Sequence, residues 1–521
     1  MLADGKPTRA VVDAAIEALQ AIWHRGAVDA DGMTGDGAGI HIEIPRDFFI
    51  EHIARTGHDD DGGRLAVGMV FLPRTDLAAQ ERCRCIVEQE ILAVGHVIYG
   101  WRQVPVDTQA LGDKAMATRP EIEQIMFSMP TDIDEEEAER QLYVVRRRIE
   151  KAVTAELISD FYICSMSSRS IIYKGMFLAE QVTAFFPDLL DKRFVSSFAV
   201  YHQRYSTNTM PTWKLAQPFR VLAHNGEINT IRGNQNWMTC HEDRMDSDVF
   251  GDAIEDLKPV IGKGSSDSAA LDAVFELMGH GGRTLPMVKT MMIPAAVDVD
   301  GDGELAKLYA YCNAVMEPWD GPAAIAAYAN NWVIAGLDRN GLRPMRYVVT
   351  DDGLVIAGSE TGMVVVPEER IIERGRIGPG QMMGIDLKRG AMFSNDELKA
   401  ELAGKRDWAK WIGRSQQMDT LLAKNGAKSS ERLPALDVRR RLQLGLKLHR
   451  SGLRLQLGSH PLRRHRRERS LGLVAHIREG WMERHVSALL HGHHRVGLRA
   501  RWGERVQSEY RSNAARRVRS G

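Results

Sequence analysis

The chain has 521 residues, of which 44% are hydrophobic and 26% charged, enough to bury a large core and to form two or more domains. No apolar run reaches the roughly 18 residues that a membrane-spanning helix needs, so no membrane span is predicted and the cytoplasm is the expected location. Five cysteines are too few for a disulfide framework, and the formal net charge of -1 conceals a basic end: residues 431–521 hold 22 of the 68 Lys and Arg but only 7 of the 69 Asp and Glu.

Helix and strand patterns alternate along residues 1–420. Apolar residues at helical spacing predict a first helix in RAVVDAAIEALQAIWHRGA and further helices near 77–93, 136–153, 227–245, 268–278 and 303–315. Short apolar or alternating runs predict strands, among them GIHIEIP, LAVGMVFLP, RSIIYKG and NWVIAGLDR. The segment YVVTDDGLVIAG, turning on Asp352-Gly353, predicts a hairpin and hence antiparallel pairing. Together these patterns predict an α+β layered domain and not a doubly wound nucleotide-binding fold.

The segment LAHNGEIN at 222–229 joins a predicted strand to a predicted helix. The pair Asn225-Gly226 has a purely structural interpretation, because both residue types tolerate positive φ and are common in tight turns. A strand-to-helix joint also exposes backbone N–H groups at a helix N-terminus, where an anion is favoured. Asn225 and Gly226 are therefore candidate donors to a developing oxyanion.

Three charged residues lie at predicted element ends. Arg25 closes the first helix, Arg204 follows the strand in YHQRYSTNTMPTW, and Asp267 opens the helix in GKGSSDSAALD. Two guanidinium groups and a carboxylate suit a small zwitterion, whose carboxylate and ammonium they can hold. Each residue alone has a simpler interpretation, as a solvated charge or as part of a helix N-cap.

Seven motifs occur in one order along the chain: WHRGAVDADGMTGDGAG, YHQRYSTNTMPTW, LAHNGEINT, GSSDSAALD, MEPWDGPAA, DRNGLRPMRY and GSETG. From about residue 4 to about residue 420 the sequence resembles the class II glutamine amidotransferase domain of glutamate synthase large subunits. HNGEI indicates only the wider class, whereas the strings around Trp319, Arg339 and Arg343 indicate glutamate synthases. The resemblance implies the N-terminal-nucleophile (Ntn) hydrolase fold, a four-layer αββα sandwich with antiparallel sheets.

The resemblance also implies roles for the candidate residues. It makes Asn225 and Gly226 the oxyanion hole, and it assigns the recognition of glutamine to Arg25, Arg204 and Asp267, with Thr207 and Asn208 lining the pocket beside Arg204. In the family an N-terminal cysteine attacks the side-chain amide of glutamine. Its own α-amino group, which titrates near about 7.7 to 8.0, serves as the base.

The cysteine nucleophile is not among the residues of this chain. In the family it lies roughly half a dozen residues upstream of the position of Met1, so Met1 is expected to mark a misplaced start or a truncation. The five cysteines of the chain lie inside elements, have no free α-amine and cannot substitute. We therefore expect the chain as given to be inactive, and a non-catalytic domain that holds glutamine or a partner subunit is the alternative.

The family pattern stops near residue 420, which predicts two parts, an amidotransferase domain at 1–420 and an Arg- and His-rich tail at 421–521. Clustered arginines suit a basic arm that binds nucleic acid or a membrane surface. A shifted reading frame is favoured instead, because the arginines begin abruptly where the family pattern stops and have few aromatic residues interspersed among them. Such a tail is expected to be disordered. HGHH at 491–494 has no nearby partner ligands and predicts no metal site.

Cofactors and partners follow from the resemblance alone. It implies L-glutamine as the substrate, with the released ammonia used for reductive amination of 2-oxoglutarate. FMN and an iron–sulfur cluster are implied only for the full-length family enzyme, and no cofactor is expected in this chain. The family form pairs with a small NADPH-oxidising flavoprotein subunit, and neither a membrane nor nucleic acid is an expected partner.

Overall fold

A computed structural model describes residues 1–203, 210–299 and 301–412, and the backbone of residues 446–448 and 455–457. The chain divides into two compact units. Unit 1 comprises Met1–Ile231, Glu242–Asp298 and Pro318–Arg406, and unit 2 comprises Arg232–His241, Val299–Glu317 and Asp407–Gly521. Among the described residues, no helix combines the length and the apolar character that crossing a membrane requires.

Several helices of the described residues begin at capping side chains that can be read from the sequence. The helices are, in chain order, α1 (Arg9–Ala21), α2 (Arg46–Arg55), α3 (Leu77–Ala93), α4 (Asp113–Ala117), α5 (Glu135–Ala155), α6 (Gln181–Phe185), α7 (Ile231–Glu242), α8 (Asp267–His280), α9 (Leu285–Met292), α10 (Glu304–Val315), α11 (Asn395–Gly404) and α12 (Trp408–Ile412). Asp76 and Asp134 cap α3 and α5 by accepting hydrogen bonds from backbone N–H groups of the first turn. Ser394 and Glu397 form a capping box that starts α11.

The strands are short and mostly buried. They are β1 (Ala38–Glu43), β2 (Arg64–Leu72), β3 (Val97–Gln103), β4 (Glu121–Met129), β5 (Tyr162–Ser167), β6 (Ser170–Gly175), β7 (Ala199–Gln203), β8 (Leu222–Gly226), β9 (Ala323–Ala329), β10 (Trp332–Leu337), β11 (Arg346–Thr350), β12 (Val355–Gly358), β13 (Ile371–Arg376), β14 (Met382–Asp386), β15 (Ala391–Phe393), β16 (Leu446–Leu448) and β17 (Leu455–Leu457).

Unit 1 contains four sheets, and every strand pair described in them is antiparallel. Their strand orders are β3-β4-β2-β5, β6-β1-β7, β15-β14-β10-β9-β8 and β12-β11-β13. Helices α3 and α5 bury one apolar face of the four-stranded sheet, and a second apolar core lies on the side of β1 and α2. The α+β class with antiparallel sheets, predicted from the sequence, is confirmed.

The sheet that contains β1 packs against the five-stranded sheet. The ring of His41 on β1 makes edge contacts with Phe198 and with Tyr328 on β9, at 5.5 Å between ring centroids in both cases. Phe198 and Tyr328 stack on each other at 3.7 Å. This contact between two sheets places the ends of β7 and β8 close together, and the candidate site lies there.

Unit 2 contains α10, α12, most of α7 and the strand pair β16-β17. The ring of Tyr311 on α10 packs on Trp408 of α12, with 4.8 Å between the ring centroids. Nε2 of His241 lies 3.0 Å from a carboxylate oxygen of Glu317. The predicted domain boundary at residue 420 and the predicted tail, except for the backbone of β16 and β17, lie outside the described residues.

Two predictions about the candidate residues need correction. Asn225 and Gly226 do not form a tight turn, because β8 continues through both of them, neither has positive φ, and the helix begins only at Ile231. Arg25 does not close the first helix, which ends at Ala21, but lies in the following 3-10 turn. The predicted hairpin at Asp352-Gly353 is confirmed, with φ of 80° at the glycine.

Lys289 is a buried cation on α9 with little compensation. Its side chain is about 1% exposed, and Nζ donates one long hydrogen bond, 3.5 Å, to the carbonyl oxygen of Gly380. Burial, with a smaller contribution from the charge of Lys399, lowers the pKa of Lys289 to about 7. The folded protein therefore holds either an uncompensated charge or a neutral amine in its core.

We expect Lys289→Met to raise the free energy of unfolding at pH 7 by roughly 2–4 kcal/mol. The folded-state pKa of Lys289 lies below the unfolded value of about 10.4, so between about pH 7 and 10 the unfolded parent binds more protons than the folded parent. The free energy of unfolding of the parent therefore rises with pH in that window. The variant should lack this rise. Urea unfolding at pH 7 and pH 9.5 measures both effects. The control is Lys307→Met, because the side chain of Lys307 is partly exposed. A free energy of unfolding that changes with pH in the same way in the parent and in Lys289→Met would contradict the prediction.

Candidate active site

A cavity of about 330 Å³ in unit 1 collects several of the predicted site residues. Arg25, Asn225 and Gly226 all line it, although about 200 residues separate Arg25 from the other two in the sequence. Its walls are otherwise largely apolar and come from α1, β7, β9, β10 and β12. A cavity with apolar walls and a few convergent polar groups has the general character of a small-molecule site.

Arg25 is held at the cavity by two contacts. Its turn is tied to the end of β7, because Nε2 of Gln203 donates a hydrogen bond of 3.1 Å to the carbonyl oxygen of Trp23. Its Nε donates to a carboxylate oxygen of Glu360, and Nε2 of His24 lies 2.9 Å from the same oxygen. The hydrogen bond from Arg25 holds the pKa of Glu360 below its usual range. The side chain of Arg25, 31% exposed, is thus held in position but remains partly accessible.

The backbone of β8 presents an N–H group at an open strand edge. The N–H of Glu227 donates to the carbonyl oxygen of Pro322 at 2.8 Å, and the Cα register pairs Asn225 with Ala324. Since antiparallel strands alternate the direction of their peptide groups, the N–H of Gly226 points away from β9. β8 is the last strand of its sheet, so no further strand among the described residues pairs with this edge.

Position 226 requires glycine because of close packing. A Cβ atom there would lie 2.0 Å from the carbonyl oxygen of Pro322 and 2.5 Å from Nε2 of His224. Both distances are far below any real Cβ contact, so another side chain would force the strand to move. The glycine thus allows β8 to lie close to residue 322 at the point where its N–H faces the open edge.

His224 is a buried residue of the site that the sequence did not indicate. The side chain of Gln217 holds its peptide group from both directions: the N–H of His224 donates to Oε1 at 2.7 Å, and Nε2 donates to the His224 carbonyl oxygen at 3.2 Å. Nδ1 of its ring lies 2.7 Å from Oγ of Ser268 on α8. Burial lowers the pKa of His224 to about 4, so the ring is neutral at pH 7.

Asp267 lies next to the cavity, where it is linked to Ser268 and to the loop after β8. It is the first residue of α8, and the N-cap is formed by Ser266. Its Oδ2 accepts a hydrogen bond from the N–H of Ile228 at 2.9 Å, and Oγ of Ser268 lies 3.4 Å from its Oδ1. The chain of contacts from Asp267 through Ser268 to the ring of His224 joins the carboxylate to the strand that carries Gly226.

The structure therefore brings four predicted residues to one region and leaves three outside its description. Arg204, Thr207 and Asn208 lie outside the described residues, directly after Gln203 of β7. Residues that sequence reasoning missed also line the cavity, namely His224, Glu227, Ser268 and Arg343. The motifs HNGEI, GSSDS and DRNGLRP contain all four, but residue type alone does not reveal which neighbour of a candidate residue is buried at the site.

The cavity extends from the first residue of the chain toward the open edge of β8. Met1 pairs with β12: the Val355 N–H donates to the Met1 carbonyl oxygen at 2.8 Å, and the Met1 amino group donates to the Val355 carbonyl oxygen at 3.2 Å. Beyond Met1, the cavity is lined by residues 356–359 on one side and by β7 on the other. Both β7 and β12 are edge strands in their sheets. The space between them has the form of a slot for an extended segment.

Comparisons with known proteins identify the family of the chain. The family model described as glutamine amidotransferases class-II matches residues 1–411. The chain is 59% identical, over 444 residues, to the large chain of an NADPH glutamate synthase from Azospirillum brasilense, an alignment that covers 84% of this chain and 29% of that protein.

Other relatives carry similar names. The chain is 41% identical to ferredoxin-dependent glutamate synthase 2 of Synechocystis and 39% identical to the NADPH glutamate synthase large chain of Bacillus subtilis. Each alignment covers 78% of this chain, and they cover 26% and 27% of those proteins. The chain thus spans less than a third of the length of these relatives.

Proposed function

Since the chain belongs to the class II glutamine amidotransferases, whose fold is the predicted Ntn-hydrolase sandwich, we propose that unit 1 binds L-glutamine. Once an N-terminal cysteine is in place, unit 1 hydrolyses the side-chain amide of glutamine to glutamate and ammonia. The observation that carries the proposal is the convergence of Arg25, Asn225 and Gly226 on one cavity. Two of them are candidate donors to an oxyanion, and the third is a cation suited to an α-carboxylate.

The chemistry assigned to each residue follows from its position. The planar guanidinium of Arg25 can bind the α-carboxylate of glutamine through two parallel hydrogen bonds. The outward N–H of Gly226 and the side-chain amide of Asn225 can donate to the oxygen that becomes negative when the amide carbon is attacked. Asp267, joined to the same strand through its contacts, supplies a carboxylate for the α-ammonium group.

The wider setting of this activity is part of the proposal. In a full-length glutamate synthase large chain, this region would supply ammonia for the reductive amination of 2-oxoglutarate. FMN, an iron–sulfur cluster and a small NADPH-oxidising flavoprotein subunit would serve the remaining chemistry outside these residues. The relatives named above support this setting by their names alone, and a cytoplasmic location fits it.

A specific observation favours a second candidate for the chain as given, a glutamine-binding domain without catalysis. None of the described residues that line the cavity is a cysteine. Cys83, Cys164 and Cys312 are buried, and burial raises the pKa of Cys83 to about 11 and that of Cys164 to about 12, which makes these thiols poor nucleophiles. A cysteine codon directly upstream of the reading frame would favour the enzyme over this alternative.

Glutamine binding by the chain as given tests the proposal. We expect Asp267→Ala to weaken binding roughly 10- to 100-fold, because a charge-assisted contact worth about 1.5–3 kcal/mol is lost. Isothermal titration calorimetry of parent and variant measures the effect.

The matched variant is Asp267→Asn, which keeps an oxygen that can accept from the N–H of Ile228 but removes the charge. Both variants should bind glutamine weakly, whereas a purely structural role would leave Asp267→Asn close to the parent. Unchanged binding in Asp267→Ala would remove Asp267 from the site. The absence of measurable binding by the folded parent would count against the proposed function as a whole.

A further inference from the structure

The small sheet β12-β11-β13 carries two arginines directly opposite each other. Arg346 on β11 pairs in register with Arg376 on β13, and both are exposed. The N–H of Ile377 donates to the Met345 carbonyl oxygen at 3.0 Å, so the next pair is of the non-hydrogen-bonded type, in which side chains of antiparallel strands lie closest. Like charges directly opposite each other destabilise a sheet. We call these two residues the arginine pair.

The carboxylates near the arginine pair are already engaged elsewhere. Glu360 accepts from Arg25 and lies close to His24, and Glu368 forms an ion pair with Arg374 at 2.6 Å. Within the described part of the chain, neither member of the arginine pair has an ion-pair partner. Ion pairs among the described residues therefore do not relieve the repulsion between them.

A third guanidinium joins the arginine pair in a groove of about 510 Å³. Arg343 lines this groove, and its Nε is buried without an acceptor among the described residues. The buried carboxylate of Asp338 accepts hydrogen bonds from the backbone N–H groups of Ala323, Asn340 and Gly341 at 2.9 to 3.2 Å. Three of its roughly four acceptor positions are thus occupied. A buried donor without an acceptor is costly, so this position favours an external acceptor.

The rim of the groove is rigid. The N–H of Gly380 donates to the carbonyl oxygen of Asp338 at 2.7 Å, which ties the loop after β10 to the loop after β13. Gly341, at φ of 60°, packs so closely on Pro379 that a Cβ atom would lie 2.7 Å from its Cγ. A preformed site loses little entropy when it binds a ligand.

We propose that this groove binds a small multivalent oxyanion, a di- or tricarboxylate or a phosphate, through Arg343, Arg346 and Arg376. Guanidinium groups match the planar oxygens of carboxylates and phosphates with pairs of hydrogen bonds. A ligand with two or more negative charges would relieve the repulsion within the arginine pair and supply the acceptor that Arg343 lacks. Arg343 also lines the glutamine cavity, so such a ligand would bind next to the amidotransferase site.

Calorimetric titration of the full chain in a low-chloride buffer tests the proposal with four probes: citrate, succinate, inorganic phosphate and pyrophosphate. We expect saturable binding of at least one trivalent probe, weakened 10-fold or more in the double variant Arg346→Gln/Arg376→Gln. The control is Arg370→Gln/Arg389→Gln, which removes the same charge from two arginines that have carboxylate partners.

The probes also distinguish the two chemical sources of the anion. Tighter binding of citrate than of pyrophosphate assigns the groove to carboxylates, and the reverse order assigns it to phosphates. The double variant should unfold at the same or a higher temperature than the parent without added anion, because repulsion has been removed. Absence of saturable binding for all four probes, or an equal loss of binding in the control, would overturn the proposal.

Discussion

Extending the chain upstream of Met1 by about half a dozen residues, so that it begins with a cysteine bearing a free α-amino group, should switch on glutaminase activity. The added segment would continue the pairing of Met1 with β12 and fill the slot between β7 and β12, which leads toward Asn225 and Gly226. The α-amino group of the added cysteine ordinarily titrates near about 7.7 to 8.0, so at pH 7 to 8 it can accept the proton of the thiol. Loss of the nucleophile in another hydrolase costs on the order of 10⁶ in kcat, so we expect a rise of at least about 10³.

Ammonia release measured on purified, folded protein checks this prediction. Two controls separate the parts of the nucleophile: the same extension with alanine in place of the cysteine, and the cysteine extension with an additional methionine before it, which blocks the α-amine. Both should remain near the background of the unextended chain. Activity in the unextended chain, or none in a folded extended chain, would contradict the prediction.

Replacing Asn225 by alanine in the extended protein should lower kcat by on the order of 10² to 10³, with a much smaller change in KM. The amide of Asn225 is proposed to donate to an oxygen that carries charge only as the reaction proceeds, so its loss should affect the transition state more than substrate binding. Steady-state kinetics on the extended pair of proteins measures the two constants separately.

The matched control for this substitution is Asn229→Ala. Asn229 is exposed in the loop after β8 and does not line the cavity, so the same change of residue type should leave kcat within about twofold of the parent. An Asn225→Ala variant as fast as its parent would remove Asn225 from the oxyanion hole. A large rise in KM at constant kcat would instead make Asn225 a binding residue.

The parts of the fold that local signals determine could be predicted from the sequence. The helix expected at 77–93 is α3, and its start agrees with Asp76, which caps the first turn. The hairpin at Asp352-Gly353 depends on the same kind of local information, since the turn needs a residue with positive φ and the glycine provides it. β4 was missed because it is buried on both faces over most of its length and lacks the alternation that marks a half-buried strand.

The candidate site shows where such local reasoning stops. The preference of Asn-Gly for tight turns is real, but pairing of β8 with β9, about 100 residues away, carries the strand through both positions. The need for glycine at 226 comes from Pro322 and His224, which pack around it in the fold, and not from its own φ. Likewise, the motif around Arg25 identified a candidate ligand for glutamine, whereas its partner Glu360 lies 335 residues away and is found only in three dimensions.

The ion pair between Arg25 and Glu360 bears on which amides the cavity accepts. If Arg25 binds the α-carboxylate of glutamine as proposed, part of its guanidinium must leave Glu360, and only a ligand with its own carboxylate can replace the partner that Arg25 then loses. A simple amide such as propionamide has no such group, so displacing Glu360 would leave the partly buried guanidinium of Arg25 without a carboxylate partner. On the proposed binding mode, we expect the cavity to favour an amino acid over a neutral amide before any chemistry begins, and the discrimination would come from a contact that the ligand must break as well as from those it makes.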